Sequence, residues 1–273
     1  MTFDPSKLSH EEKAKLQENI ADLQKKFALF LRKDELNVGD LVTWKPGLTN
    51  RRFPRPGTAG IVTRKFSVPL KDSSKNEAGS PYFNEDLTVC VGVLDNDGDF
   101  VEFTYDGQRM ERADPSAIAG KHKGFACDSC HASDFGGIRF HCTECEDFDL
   151  CARCHANGAA PRSHEASHKM LAIEPPSGDI LRERLTSLLA QECFQPGDLV
   201  QWKAGLKNKR LPKQDQLGVV VEMLPAPVTD EDKSSGGSYF MEPLDMKVGL
   251  IDEDGDFVIF HYDSRRFTKA VFM

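Results

Sequence analysis

Cys127-Asp128-Ser129-Cys130, Cys142-Thr143-Glu144-Cys145, Cys151-Ala152-Arg153-Cys154 and His164-Glu165-Ala166-Ser167-His168 decide how the middle of this chain folds. Three C-x2-C pairs and one H-x3-H pair supply eight nitrogen and sulfur donors. That number satisfies two tetrahedral zinc ions and leaves no position for water. A closed site activates no nucleophile, so the two Zn2+ are expected to be structural, and the chain is expected not to be an enzyme. Disulfides are the competing reading, and they fit poorly with a chain that carries no secretory features. Spacing alone leaves the partition open, since sequential and interleaved pairing each give one four-cysteine site and one two-cysteine, two-histidine site.

Outward from this cluster, residues 39–109 and 197–266 are two versions of one pattern. The first opens Gly39-Asp40-Leu41-Val42-Thr43-Trp44-Lys45-Pro46-Gly47-Leu48, and the second opens Gly197-Asp198-Leu199-Val200-Gln201-Trp202-Lys203-Ala204-Gly205-Leu206. They close on Asp95-Asn96-Asp97-Gly98-Asp99-Phe100 and Asp252-Glu253-Asp254-Gly255-Asp256-Phe257. Both tryptophans and all four tyrosines pair: Trp44 with Trp202, Tyr82 with Tyr239, Tyr105 with Tyr262. Short β-rich segments between Gly, Pro and Asp turns predict a small antiparallel barrel for each version. The Asp-Gly steps predict hairpin turns, where glycine accepts a positive φ. An EF-hand reading of Asp95 to Asp99 fails, because Phe100 stands where that loop needs glycine.

A helix is expected before each barrel. Ser9 and Glu12 form a capping box, and Leu16, Ile20, Leu23, Phe27 and Phe30 follow as an apolar stripe. The stripe predicts docking on the molecule's own core, with self-association through this helix as the alternative. A second helix is expected near Asp179 to Glu192, set off by Pro175-Pro176-Ser177-Gly178. Polar insertions at 67–81 and 224–238 read as floppy connectors, or else as contact loops beside a binding surface.

The chain has 273 residues, 39% hydrophobic and 29% charged, with a formal net charge of -8. Acidity argues against nucleic acid as the main partner, and no apolar run approaches the ~20 residues of a membrane span. Met1 to Pro5 lack the character of a signal peptide. Metal-paired cysteines fit a cytoplasmic or nuclear location. The two remaining cysteines, Cys90 and Cys193, are expected to be small buried hydrophobes.

His122-Lys123-Gly124-Phe125-Ala126-Cys127, Gly137-Ile138-Arg139-Phe140-His141-Cys142 and Cys145-Glu146-Asp147-Phe148-Asp149-Leu150-Cys151 resemble the ZZ-type zinc finger over about residues 121–173. The resemblance implies interleaved ligation, with Cys127, Cys130, Cys151 and Cys154 on one ion and Cys142, Cys145, His164 and His168 on the other. His131 and His155 are expected to be surface residues and not ligands. The resemblance also implies a groove for a free protein N-terminus. Its acidic contacts would be Asp128, Asp147 and Asp149, with His131, Arg139 and Phe140 lining the pocket. A protonated amine offers three donors that a carboxylate cluster can accept. The order of the whole chain is similar to the substrate-recognition region of the Mind bomb ubiquitin ligases, where a ZZ finger sits between two SH3-like repeats.

The expected architecture is therefore mainly β and multidomain. A helical segment at 1–36 is followed by an SH3-like barrel at 37–115, a ZZ finger at 120–173, a helix at 178–194 and a second barrel at 195–273. The expected function is a protein-binding adaptor that reads a short peptide or protein N-terminus, as a recognition subunit of a ubiquitin or degradation complex. The alternative is a structural subunit of a large assembly, with the finger only stabilising the fold. An enzyme using Cys90 or Cys193 would need a nearby base, and no motif supplies one. Trp44, Tyr82 and Tyr105, with their counterparts, are expected to be repeated core, with a methyl-lysine cage as the alternative.

Overall fold

The computed structural model describes residues 9–74, 77–115, 118, 120–161, 164–230 and 232–270. Met1 to Pro5, residues 75–76 and 231 within the polar insertions, and the final residues 271–273 lie outside the described set.

The described residues are mainly β, with three antiparallel sheets and few helices. The first sheet contains β1 (Leu41–Trp44), β2 (Gly60–Leu70), β3 (Leu87–Leu94), β4 (Phe100–Tyr105) and β5 (Met110–Arg112), in the order β4-β3-β2-β1-β5. A second sheet repeats that order as β12-β11-β10-β9-β13, built from β9 (Leu199–Trp202), β10 (Gly218–Val228), β11 (Leu244–Ile251), β12 (Phe257–Tyr262) and β13 (Phe267–Lys269). The expected closed barrels do not form among the described residues. Each sheet is open, because its end strands (β4 and β5, β12 and β13) pair only inward.

Equivalent residues do equivalent work in the two sheets. Leu94 faces Phe100 and Ile251 faces Phe257 across the hairpins. In each turn the leading aspartate accepts two main-chain N–H groups, Asp95 from Asp97 and Asp99, and Asp252 from Asp254 and Asp256. Gly98 and Gly255 supply the left-handed residue, at φ 81° and 88°. Trp44 meets Tyr105 edge-on at 5.2 Å, and Trp202 meets Tyr262 at 5.5 Å. Their indole N–H groups donate to the carbonyls of Pro54 and Pro212. These four rings are buried in the two cores. Tyr82 instead lies under the Arg51 guanidinium, so the three rings form a core and a lid contact, not a cage.

Helix α1 (His10–Leu31) begins on the expected capping box, in which the Glu12 N–H donates to Ser9 Oγ and the Ser9 N–H to Glu12 Oε2. Its apolar stripe does not dock on the core. No residue of α1 is buried, and Ile20, Leu23 and Phe27 are exposed. Leu16 and Phe30 are partly covered, Phe30 beneath the Arg109 guanidinium. Helix α3 (Gly178–Leu189) behaves differently. Leu181, Leu185 and Leu188 pack on Leu41, Ile61 and Phe100 of the first sheet, together with Leu206.

The two large sheets also meet through charge. Buried Glu102 on β4 faces Arg266 at 3.3 Å, Arg265 at 3.5 Å and Arg64 at 3.7 Å. Burial by itself would push this carboxyl up, but Arg266, Arg64 and Arg265 outweigh it and hold it at about 2. The polar insertions are not simply floppy. The Ser235 N–H donates to Asp72 Oδ2 at 2.7 Å, and both residues are buried. Among the described residues no helix is long and apolar enough to cross a membrane.

Candidate functional site

The third sheet, β7-β6-β8, is small: β6 (Arg139–Cys142), β7 (Asp149–Cys151) and β8 (Met170–Ile173). Four turns of chain around it carry the eight predicted ligands. Cys151 ends β7 and caps the short helix α2 (Ala152–Ala156), which delivers Cys154. Cys142 ends β6, and the amides of Glu144 and Cys145 turn back toward its sulfur at 3.4 and 3.3 Å. Such N–H···S bonds stabilise a thiolate, the form that ligates metal. In the first turn, burial pushes the Cys127 thiol up. Donation from the amides of Cys130, Cys151 and Ser129 overcomes this and brings it down to about 7.

The ligand atoms gather into two groups, Cys127, Cys130, Cys151 and Cys154 in one and Cys142, Cys145, His164 and His168 in the other. Within each group all ligand atoms lie within 4.8 Å of one another. Tetrahedral zinc with Zn–S near 2.3 Å and Zn–N near 2.05 Å spaces sulfur pairs about 3.8 Å apart and sulfur–nitrogen pairs about 3.6 Å apart. The Cys130 and Cys151 sulfurs are 3.9 Å apart, far beyond a disulfide bond. Cys142 Sγ lies 3.6 Å from His168 Nδ1, and Cys145 Sγ lies 3.6 Å from His164 Nδ1. Donor type and spacing therefore fit two structural zinc ions in the interleaved arrangement. One ion is held by four cysteines, the other by two cysteines and two histidines. Phe148 stacks on His164 at 4.0 Å, and Glu144 lies 3.8 Å from His168 Nε2, so both imidazoles are oriented from behind. Cys127, Cys142 and Cys154 share a core with Phe135, Phe148 and Leu150, so the metal groups form part of the local core.

The six residues assigned to a peptide pocket do not share one surface. Arg139, 1% exposed, is an internal residue. Its guanidinium donates to Asp149 Oδ1 at 2.5 Å and to the Asn96 carbonyl of the first sheet, and lies over the Phe125 ring. Asp149 is buried with it and also contacts His141 Nδ1 at 3.0 Å. The expected acidic triad is thereby broken, because one member neutralises a buried arginine. Asp128 is half-buried and is tied to β7 by an exchange of bonds. Its N–H donates to the Asp149 carbonyl, and its Oδ2 accepts from the Asp149 N–H, both at 2.8 Å. Asp147 is exposed. Phe140 stacks flat on His155 at 3.6 Å, and exposed His131 takes a left-handed φ of 59° at the end of the first knuckle.

Sequence reasoning missed His141 and the Arg139–Asp149 pair. The available signal was alternation: Arg139 and His141 are two residues apart on one strand, hence on one face, with His141 opposite Asp149 in register and Arg139 diagonal to it. Of the two remaining cysteines, Cys90 is buried as expected, and burial pushes its thiol up, away from nucleophilic use. Cys193 is exposed, contrary to expectation, because it follows the C-terminal end of α3 in an extended segment.

Comparison with known proteins agrees with the metal geometry. Residues 121–170 match the family "Zinc finger, ZZ type". The chain is 43% identical over 53 residues to the E3 ubiquitin-protein ligase Kcmf1 of Drosophila melanogaster, covering 19% of this chain and 9% of that protein. It is 30% identical over 154 residues to the Drosophila E3 ubiquitin-protein ligase mind-bomb, covering 54% of this chain and 12% of that protein. Over 53 residues it is also 43% identical to the Drosophila Transcriptional adapter 2b, covering 19% of this chain and 9% of that protein. The chain thus spans about a tenth of the length of these relatives. Two of these names correct the expectation that the chain is not an enzyme, since Kcmf1 and mind-bomb are both named E3 ubiquitin-protein ligases. The residues around the two metal groups form a ZZ-type zinc finger, similar to those of proteins named as ubiquitin ligases.

Proposed function

We propose that this chain is a protein-recognition region of a ubiquitin-pathway assembly, and that its zinc finger takes the free N-terminus of a partner protein. The reading treats 37–115 and 195–273 as two SH3-like modules around a finger at 120–173. The observation that carries it is the locked seam between the first knuckle and β7. There Asp128 is held as an acceptor by its paired bonds with Asp149, and exposed Asp147 lies two residues upstream on the chain. Four thiolates around a divalent ion sum to a charge of about -2, which adds to the field a cation would feel. With Asp149 committed to Arg139, the amine would be held by Asp128 and Asp147 alone.

Calorimetric titration of the zinc-loaded chain tests this, using peptides with Ala, Arg or Met first, each with a free or an acetylated N-terminus. Free peptides should bind at least about tenfold more tightly, in keeping with the loss of a charge-assisted bond. Asp147→Asn should remove that preference while leaving the fold intact, since the side chain is exposed. Equal binding of acetylated and free peptides would refute the reading.

A second reading has its own support. Arg55 bonds the Lys123 carbonyl of the finger at 2.9 Å and Asn96 Oδ1 of the first sheet at 2.6 Å, so the finger can serve as a brace inside a larger assembly. Failure of all the peptides to bind would favour it.

A further inference from the structure

Helix α1 and the outer face of the second sheet are both apolar and both uncovered, and their counterparts within the molecule are in contact with each other. The correspondence is set by paired positions. Lys45 and Lys203 are both buried, and each donates to a carbonyl at the C-terminal end of the preceding helix: Lys45 to Arg32, Lys203 to Ser187 and Ala190. Leu36 and Phe194 each enter the core of the sheet that follows. Gly47 abuts Lys26 as Gly205 abuts Arg184. Helix α1 therefore stands to the first sheet as α3 stands to the second. In this alignment Leu23, Phe27 and Phe30 correspond to Leu181, Leu185 and Leu188.

The three α3 leucines are buried against the preceding sheet, on Leu41, Ile61 and Phe100. Leu23 and Phe27 are 69% and 61% exposed. The positions matching Leu41 and Phe100 are Leu199 and Phe257, and they too are exposed, with Phe257 at 56% against 0% for Phe100. The main chain shows the same vacancy. The Phe100 N–H donates to the Gly205 carbonyl, and Arg266 Nη1 bridges the Phe100 and Leu206 carbonyls. Arg109, the counterpart of Arg266, reaches the Leu48 carbonyl, which is half of that bridge. The charged part of the joint is not repeated. Ile259 stands where Glu102 does, and Gln108 where Arg265 does, so an acid on one side and a base on the other are both replaced by uncharged residues.

We propose that α1 of one copy of this chain docks on the β9–β12 face of a second copy, repeating between molecules the joint that α3 makes with the first sheet inside one molecule. Within its own chain α1 is fastened to the first sheet, through the Lys45 bond to the Arg32 carbonyl and the Arg32 ion pair with Glu111. Each molecule offers one helix and one face, so the contact is heterologous and propagates head to tail. Phe257 then receives the helix as Phe100 does, and its N–H gains the Gly47 carbonyl.

Sedimentation velocity of the zinc-loaded full chain over a hundredfold concentration range tests this, with Phe27→Asp and Phe257→Asp as variants, and Leu23→Asp and Leu199→Asp as a second pair. All four side chains are exposed, so far-UV circular dichroism should match the native chain. The native chain should grow in mass with concentration, and each variant alone should remain a monomer. An equimolar mixture of a helix variant and a face variant should form a complex of one copy each and stop there, because the only helix and face left over are the altered ones. A native chain that stays monomeric throughout overturns the proposal. So does a mixture that fails to pair, and so does association lost with Phe27→Asp but kept with Phe257→Asp, which would mean that α1 pairs with another α1.

Discussion

Replacing Glu102 by Gln isolates the charge that joins the first large sheet to the second. The substitution keeps the volume of the side chain and its acceptor for Thr63 Oγ1, which donates at 2.6 Å. It removes the counter-charge of Arg266, Arg265 and Arg64. The carboxyl is held at about 2 against an ordinary 4.5, a difference worth about 3 kcal/mol at about 1.4 kcal/mol per unit. Removing one partner of a buried ion pair costs about 3–5 kcal/mol, the same range. The Arg266 bonds to the Phe100 and Leu206 carbonyls survive and temper the loss. Because the folded value is depressed, this stability is present above about 4.5 and is lost as pH falls toward about 2. Urea unfolding followed by the fluorescence of Trp44 and Trp202, one in each sheet, measures it. The difference between native and variant chains should be about 3 kcal/mol at neutral pH and should shrink in acid, with zinc release common to both and cancelling. A deficit below about 1 kcal/mol at neutral pH, or one indifferent to pH, would refute the account.

Leu185→Ala should cost about 2–5 kcal/mol by opening a cavity between α3 and the first sheet, read as a lowered urea midpoint; an unchanged midpoint would mean that α3 does not seal that face. Burial first, and then Asp95, push the Asp99 carboxyl from 3.8 up to about 7, so its contribution is full below about 3.8 and is lost as pH rises through about 7. Asp99→Asn should accordingly be neutral near pH 4 and stabilising by about 1–4 kcal/mol near pH 8, and a variant no more stable than native at pH 8 contradicts this. Native mass spectrometry should find two zinc ions on the chain and one on His164→Ala, while full chelation should unfold β6–β8, since ligand sulfurs line its core; a native chain holding one zinc contradicts it. Gly98→Ala should destabilise more than Gly255→Ala although both residues are left-handed, because a Cβ at Gly98 falls 2.9 Å from Ile173 whereas Gly255 has open space; equal thermal shifts would show that the finger does not press on that turn.

Features fixed by local chemistry were legible in the sequence. Metal coordination dictates the spacing of Cys127, Cys130, Cys142, Cys145, Cys151, Cys154, His164 and His168, and Asp-Gly steps dictate the two turns. Features that depend on what covers a surface were not. The stripe on α1 is amphipathic in the way α3 is, yet one is bare and the other sealed, because periodicity reports a face and not its occupant. Asp149 looked like a surface acid, because its partner Arg139 lies on the neighbouring strand and the carbonyl that completes the arrangement belongs to Asn96, in another sheet. The Asp72–Ser235 contact joins residues 163 apart, beyond any local pattern. Strand segments predicted a barrel, but closure depends on whether end strands meet, and that is a property of twist and register which composition does not carry.

The turn from Asp95 to Phe100 explains why two sheets of the same order are used so differently. Arg139 and Arg55 of the finger joint reach Asn96, Ile173 of β8 lies against Gly98, and Arg266 and the Gly205 carbonyl of the second sheet meet Phe100. Six residues thus receive the zinc finger on one side and the second sheet on the other. Main-chain carbonyls take much of the load, so the joint depends on the shape of the hairpin more than on its side chains. The matching turn, Asp252 to Phe257, keeps the same internal bonds and the same left-handed glycine but is exposed along almost its whole length. Conserving the geometry of a turn that seals nothing inside the chain is what a second docking surface of the same design requires. The exposed apolar side chains Leu199, Ile251, Phe257 and Ile259 on and beside that turn are therefore the surface on which the helix of another copy would bury its own.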